Sequence, residues 1–352
     1  MIGLRILLPL AGLLALSACE FGPKVTTQSG PNGAGINQIH TASYLRKVKA
    51  ANYIPPPAYP LETREGPLAT SQYENIQVLN DLSAEEFNRL MISITEWVAP
   101  VEQGCNYCHN PENMASDEVY QKGVARRMIQ MTRAVNQNWK SHVQGTGVTC
   151  WTCHRGKGVP TYAWAASPPE PAKLMGNKRG QNTPSGTTAF ASLPGNIFEP
   201  YLLNASNVRV QSPNEYGPGA AVPIQNAEFT YSFMNHFSKS LGVNCTYCHN
   251  SNNFASWDNA SPQRALAWYA IRMSRDINKN YIQPLKPVFP ASGLGPMGDP
   301  WKVNCATCHQ GANKPLNGVS MLPDHPSMAG PRPGYNVPTG PIAAMMPPKT
   351  GG

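Results

Sequence analysis

Cys105-Asn-Tyr-Cys108-His109, Cys150-Trp-Thr-Cys153-His154, Cys245-Thr-Tyr-Cys248-His249 and Cys305-Ala-Thr-Cys308-His309 are four copies of one pattern, C-x-x-C-H. Two cysteines three residues apart can each form a thioether to one porphyrin vinyl group, and the adjacent histidine then sits beneath the iron as its proximal ligand. With 9 Cys and 8 His in 352 residues, composition alone predicts about 0.005 such motifs, so four are not accidental. A thioredoxin-like pair or half of a zinc site explains C-x-x-C but not a histidine after every pair. Zinc ribbons also space their pairs by about 15 to 20 residues, and the gaps here are longer and unequal. The motifs therefore predict four covalently bound haem c groups.

Eight of the nine cysteines belong to the motifs, which leaves Cys19. Residues 1–19, MIGLRILLPLAGLLALSAC, carry one Arg5, an apolar run and small residues before the cysteine, the layout of an export signal. The ending Leu16-Ser17-Ala18-Cys19 resembles a bacterial lipobox, which implies a lipoprotein signal peptide over 1–18 and lipidation of Cys19. The alternative is an uncleaved helix just long enough to span a bilayer. Both readings tether the protein at the periplasmic face of the inner membrane. Nothing later in the chain is long and apolar enough to span. The net charge of +8 is spread along the chain, with no basic run interleaved with aromatics, so no nucleic-acid partner is expected.

With 35 Pro and 30 Gly and only 14% charged residues, regular structure must be sparse. The expected fold is mainly α with extensive irregular coil, its core built around porphyrin surface. The motifs fall into two pairs that repeat one order of elements: helix, T/N-Y-C-H-N, helix, and V-x-C-x-T-C-H-x-G. Met131-Thr-Arg-Ala-Val-Asn-Gln-Asn-Trp139 aligns with Met273-Ser-Arg-Asp-Ile-Asn-Lys-Asn-Tyr281. A duplicated dihaem unit explains this economically. It gives an extended N-terminal segment over 19–80, dihaem units over 81–158 and 226–311, a linker over 159–225 lying across the units or a partner, and a Pro/Gly-rich tail over 312–352.

Each iron needs a distal ligand, so inward Met and His side chains become candidates. The first helix opens with a capping box, Ser83-Ala-Glu-Glu86, and repeats apolar residues at Phe87, Leu90, Met91, Ile94 and Trp97. The second begins near Asp117 and places Met128, Met131, Val135 and His142 along one side. The third aligns Phe233, Met234 and Phe237 and stops at Gly242. The fourth has Ser261 as cap and Pro262 in its first turn, with Leu266, Tyr269, Met273 and Ile277 inward. Methionine on an apolar stripe is ordinarily core filling, but four irons change that weight: Met91 is assigned to the haem of His109 and Met234 to that of His249. His236, two residues from Met234, points to nearly the opposite face. Met128 and His142 lie about 21 Å apart along a continuous helix and cannot serve one iron. Two readings stay open. In one, Met128 serves the haem of His154 and His142 that of His309; in the other, Met131 and Met273 do so symmetrically. His325 and His40 are expected at the surface.

The motifs, their paired spacing and the stretches Ile94-Thr-Glu-Trp97, Ala125-Arg-Arg-Met128, Gly147-Val-Thr-Cys150 and Pro262-Gln-Arg-Ala265 resemble the tetrahaem cytochrome c subunit of purple bacterial photosynthetic reaction centres, over roughly residues 70–320. The resemblance implies three His/Met haems and one bis-histidine haem, hence Met91, Met128 and Met234 for the first three and His142 with His309 for the fourth. It also implies reaction-centre core subunits of the L and M type as partners, bearing a photo-oxidised bacteriochlorophyll pair. The haem of His249 would lie nearest that pair. The haem of His109 would lie outermost, where a soluble cytochrome c or high-potential iron–sulfur protein docks. Arg264, within the Pro-Gln-Arg-Ala match, is then expected beside the haem of His249; otherwise it is an exposed first-turn residue. The competing class is a respiratory multihaem cytochrome taking electrons from quinol or passing them to a nitrogen-oxide reductase. A multihaem enzyme would need an open distal position, whereas the inward Met and His side chains suffice to close all four irons.

Overall fold

The computed structural model describes residues 22–28, 37–168, 192–208, 210 and 224–339. The signal segment, Cys19 and the end of the tail lie outside the described residues. A hairpin of β1 (Lys24–Gln28) and β2 (Asn37–Thr41), the only sheet among the described residues, leads into α1 (Ala42–Ala51). Then follow α2 (Ala84–Val98), α3 (Tyr120–Asn138), the single turn α4 (Lys140–Val143), α5 (Cys150–His154), α6 (Ile224–Leu241), α7 (Pro262–Asp276) and α8 (Cys305–His309), joined by irregular coil. The mainly helical, coil-rich architecture agrees with the composition.

Local signals place most helix ends. The Ser83 hydroxyl accepts from the Glu86 backbone N–H at 3.3 Å. The Glu86 carboxylate does not complete the capping box; it takes Arg64 at 2.7 Å and Arg332 instead. α6 ends at Gly242, where φ is +65° and a Cβ would collide with the Gly311 carbonyl, so only glycine fits. α7 starts at Ser261 and Pro262 as expected, but the Ser261 hydroxyl donates to the Tyr247 carbonyl at 2.6 Å rather than capping the helix. The expected stripe of α7 holds in part: Ile277 is buried and Met273 packs against its cluster, but Tyr269 is exposed and Ala270 and Ser274 are buried beside the stripe.

α3 departs from expectation in a way that matters for the site. It ends at Asn138, because Trp139 leaves helical geometry (φ −115°, ψ 30°) and its indole N–H donates to Asp276 Oδ2 at 2.8 Å. His142 therefore rides on the separate turn α4, not on a continuation of α3.

Among the described residues the core has three clusters. Leu82, Leu90, Trp97 and Ile129 pack with Leu316, Met321 and Met328, so the described part of the tail folds back onto the first pair of motifs. Trp164, Ile197, Phe198, Tyr201 and Leu202 pack on Phe233 of α6, so the segment 159–225 does more than connect. Val135, Ile277 and Ile282 form the third cluster, joined by Met128, Met131 and Met273. At the other end, Gln38 exchanges hydrogen bonds with Asn244, and the Tyr44 hydroxyl donates to the Gly311 carbonyl at 3.1 Å. Gln38 and Tyr44 of the N-terminal segment thus rest on the second pair of motifs, while Ile54, Ile76, Val78 and Leu79 of the same segment pack in the first cluster. His325, expected at the surface, is 3% exposed, because the returning tail lays its ring edge-on to Trp97, 4.5 Å between centroids.

Candidate haem-binding sites

The four motifs adopt two local shapes. Motifs one and three are 3-10 turns, Gly104–Tyr107 and Cys245–Tyr247. Motifs two and four are the one-turn helices α5 and α8. Their starts are alike: the Thr152 hydroxyl accepts from the Thr149 backbone N–H at 2.9 Å, and that of Thr307 from Asn304 at 3.0 Å. Both end on a left-handed residue, Arg155 (φ 52°) or Gln310 (φ 48°), followed by glycine.

Two asparagines set where α5 and α8 begin. The Asn136 amide donates to the Val148 carbonyl at 2.8 Å and its oxygen accepts from the Val148 N–H at 2.8 Å. Asn278 makes the same pair with Val303, at 3.0 and 2.8 Å. Each clamps the residue two before a motif. Neither was singled out from sequence, although both sit at one position of the aligned helices, which is the signal that finds them.

The motif imidazoles share one hydrogen-bond scheme. Nδ1 of His109 lies 2.9 Å from the Met114 carbonyl and that of His249 3.0 Å from Phe254, each five residues on. Nδ1 of His154 lies 2.8 Å from the Lys157 carbonyl and that of His309 2.9 Å from Ala312, each three residues on. A carbonyl only accepts, so Nδ1 carries the proton and Nε2 keeps its lone pair, the tautomer that binds a metal. Burial favours the neutral form of three of these rings. It pushes the His154 and His249 imidazoles down and, with repulsion from His142, brings His309 to about 4.

The distal candidates separate in part. His142 also orients through Nδ1, 3.1 Å from the Leu266 carbonyl, and its ring faces that of His309 with 6.1 Å between centroids. Imidazole nitrogens bind transition metals at about 2 Å, so two imidazoles sharing one iron stand roughly 6 Å apart by ring centre. The pair fits that span. Met273, the rival for His309, packs in the third core cluster with Met131; Met128 touches the same cluster. On α6, His236 is buried among Phe198, Phe233 and the Ser240 hydroxyl, while Met234 is partly buried and packs against the same cluster. Met91 likewise sits partly buried on α2.

Burial pushes the Cys108 and Cys248 thiols up to about 11 and those of Cys150 and Cys305 to about 12. Burial thus favours the neutral thiol at these four positions, and among the described residues no cluster of three or more His, Cys, Asp or Glu is placed to hold a metal. Cys153 and Cys308 depart from expectation: α5 and α8 face each other, their Cα atoms 4.5 Å apart, and the two sulfurs meet as a disulfide. A disulfide sulfur cannot also carry a thioether. The two bonds are alternative fates of the same pair, and haem attachment at both motifs requires it reduced.

Basic side chains brace the loops after motifs one and three. Lys122 Nζ donates to the carbonyls of Met114, Ala115 and Ser116 at 3.1, 2.7 and 2.9 Å. Arg264 donates to the Ala255 carbonyl at 3.2 Å and to that of Ser256, and lies 4.2 Å from the Trp257 ring centre. Its charge reaches His249 and Cys248, so Arg264 stands beside motif three rather than free on the first turn.

The sequence profile of the photosynthetic reaction centre cytochrome C subunit matches residues 21–329. The photosynthetic reaction center cytochrome c subunit of Rubrivivax gelatinosus is 48% identical over 320 residues, 89% of this chain and 86% of the relative. That of Thermochromatium tepidum is 46% identical over 314 residues, 89% and 77%. Cytochrome c-554 of Chloroflexus aurantiacus is 31% identical over 306 residues, 70% of each. A cytochrome c holds its haem covalently, and the matched region takes in every C-x-x-C-H segment whose imidazole geometry suits an iron. The chain belongs to the family of photosynthetic reaction centre cytochrome c subunits.

Proposed function

We propose that this chain carries four haem c groups in two dihaem units and re-reduces the photo-oxidised bacteriochlorophyll pair of a reaction centre, drawing electrons from a soluble cytochrome c or high-potential iron–sulfur protein. Bound haem supplies one-electron transfer at iron; the chain sets where each group stands and how readily it is reduced. Cys105/Cys108, Cys150/Cys153, Cys245/Cys248 and Cys305/Cys308 hold the groups. His109, His154, His249 and His309 are proximal ligands, and Met91, Met128, Met234 and His142 are their respective distal partners.

The observation that carries this reading is the meeting of His142 with His309 at 6.1 Å. An iron closed by two imidazoles has no position for substrate, which favours electron transfer over catalysis. Thioether ligands raise the potential and a second imidazole lowers it, so the chain spaces unequal potentials along its length. Contact between α5 and α8 supports a row with motifs two and four central and motifs one and three outward. The end bearing His249 and Arg264 is assigned to the pigment pair, on the L and M type subunits. The positive guanidinium favours the reduced, less positive state there. The end bearing His109 receives the soluble donor. Among the described residues no helix is long and apolar enough to cross a membrane, which suits attachment through a lipid on Cys19 at the periplasmic face.

Flash-induced absorbance in native membranes, poised with the higher-potential haems reduced, tests the role. Haem oxidation within microseconds, matched to re-reduction of the pigment pair, is the expected result. No light response in membranes with intact reaction centres would move the assignment to the respiratory alternative.

A further inference from the structure

Lys122 and Arg264 occupy one position of the two aligned helices, ahead of Met131 and Met273 by the same spacing, and each binds carbonyls of the loop after its motif. They differ in which carbonyls. Arg264 takes those of Ala255 and Ser256 and leaves that of Phe254 to the His249 imidazole, 3.0 Å away. Lys122 takes those of Met114, Ala115 and Ser116, and the Met114 carbonyl also accepts from the His109 imidazole at 2.9 Å. One oxygen thus serves both the proximal ring N–H and an ammonium 3.1 Å away. Among the described residues, no such second donor meets the carbonyls of Phe254, Lys157 and Ala312, which hold the other three rings. Lys122 is buried. Its partner Asp117, 3.1 Å from Nζ, also pairs with Arg126 at 2.8 Å, so one carboxylate faces two cations and positive charge remains at the loop. An imidazole that donates Nδ1–H to a carbonyl gains basicity, which stabilises ferric iron. A carbonyl oxygen has two lone pairs, and a charged donor on one polarises the oxygen at the expense of the donor on the other.

We propose that Lys122 tunes the haem of His109 through this shared carbonyl: by drawing electron density on the Met114 oxygen toward its own charge, it weakens the hydrogen bond from His109 Nδ1 and raises that haem's potential. Lys122 is a positioning residue for the acceptor of the ring, not a ligand. The inference rests on haem attachment at motif one with His109 as proximal ligand. At the haem assigned to receive the soluble donor, a raised potential favours the incoming electron.

The test follows the proximal imidazole Nδ1–H signals by NMR in the full-length haem-loaded protein, isotopically labelled at histidine nitrogen. The position of each signal reports its hydrogen bond in the reduced state, and its loss as the iron is oxidised reports the potential of that haem. In Lys122→Gln the His109 signal should move downfield and exchange more slowly with water, because its acceptor no longer faces a charge. The reduced-to-oxidised ratio of the same haem at fixed potential should fall about tenfold, 59 mV for a one-electron couple, with the others moving less than about twofold. K122R keeps the charge and should recover most of both changes. A purely structural brace gives the opposite sign: a slackened loop shifts the His109 signal upfield and speeds its exchange. That result would overturn the proposal, as would an unmoved His109 signal or potential. Should K122Q not assemble, the unaltered protein decides, since its His109 signal should stand upfield of the His249 signal; a downfield position would overturn the proposal. An unaltered protein without haem at Cys105 and Cys108 would instead remove the reading of motif one, and the proposal with it.

Discussion

At the scale of single residues, the covalent motifs were legible and the distal ligands only partly so. A C-x-x-C-H segment is local: five consecutive residues carry the whole chemistry, and their spacing is visible without the fold. A distal ligand comes from elsewhere in the chain. Met128 against Met131, or His142 against Met273, is a question of which helix face meets which iron, and period counting alone cannot answer it. The facing rings of His142 and His309 support the choice proposed for the last motif. His142→Met should therefore convert one bis-histidine site to His/Met. The expected outcome is four haems still attached and a raised potential for one of them, read by redox titration and low-temperature electron paramagnetic resonance. Four unaltered haem signals would remove His142 from the ligand set.

At the scale of elements, helix starts such as Ser83 and Pro262 and the stop at Gly242 followed from local capping chemistry. The end of α3 did not, because Trp139 is held by Asp276 from the other half of the chain. The asparagine clamps work between these scales. Asn136 ties α3 to Val148 and donates to the Met328 carbonyl at 2.9 Å, so it positions the entry to motif two while pinning the returning tail. Removing the amide strands buried partners, at about 1–3 kcal/mol for each group left unsatisfied. Asn136→Ala should cost about 2–4 kcal/mol overall and lower haem occupancy at Cys150 and Cys153. Asn278→Ala should lower it at Cys305 and Cys308 instead. Haem-peptide mapping of each variant, beside thermal unfolding, reads the difference. Equal loss at both motifs in either variant would mean that the clamps act on the fold as a whole and not on the motif that follows.

At the scale of the whole molecule, the packing of the chain ends onto the motif pairs was invisible in sequence, since Pro/Gly-rich segments show no periodicity and their partners lie far away along the chain. Tyr44 reaches Gly311 across the second pair of motifs, while Met328, fully buried, closes the core of the first. His325 is the titratable group in that closure. Its Nδ1 lies 3.4 Å from Arg89 Nη1, and its backbone N–H donates back to Met321 and Leu322. Burial first and the Arg89 charge second push the imidazole down to about 4, against the opposing pull of Asp324. Unfolded, the same group titrates near 6.5. The folded state therefore binds fewer protons between those values, so the contribution is fully present above about pH 6.5 and is lost as pH falls toward 4. Over that window the loss is about 2–3 kcal/mol. The buried motif imidazoles add an acid dependence of their own, so the discriminating quantity is a difference between proteins. Unfolding midpoints followed by far-ultraviolet circular dichroism at pH 7 and pH 4.5 should fall further for the unaltered chain than for His325→Gln. Parallel declines would mean that the tail stays seated on Trp97 whether or not His325 is charged, and that acid opens the protein elsewhere.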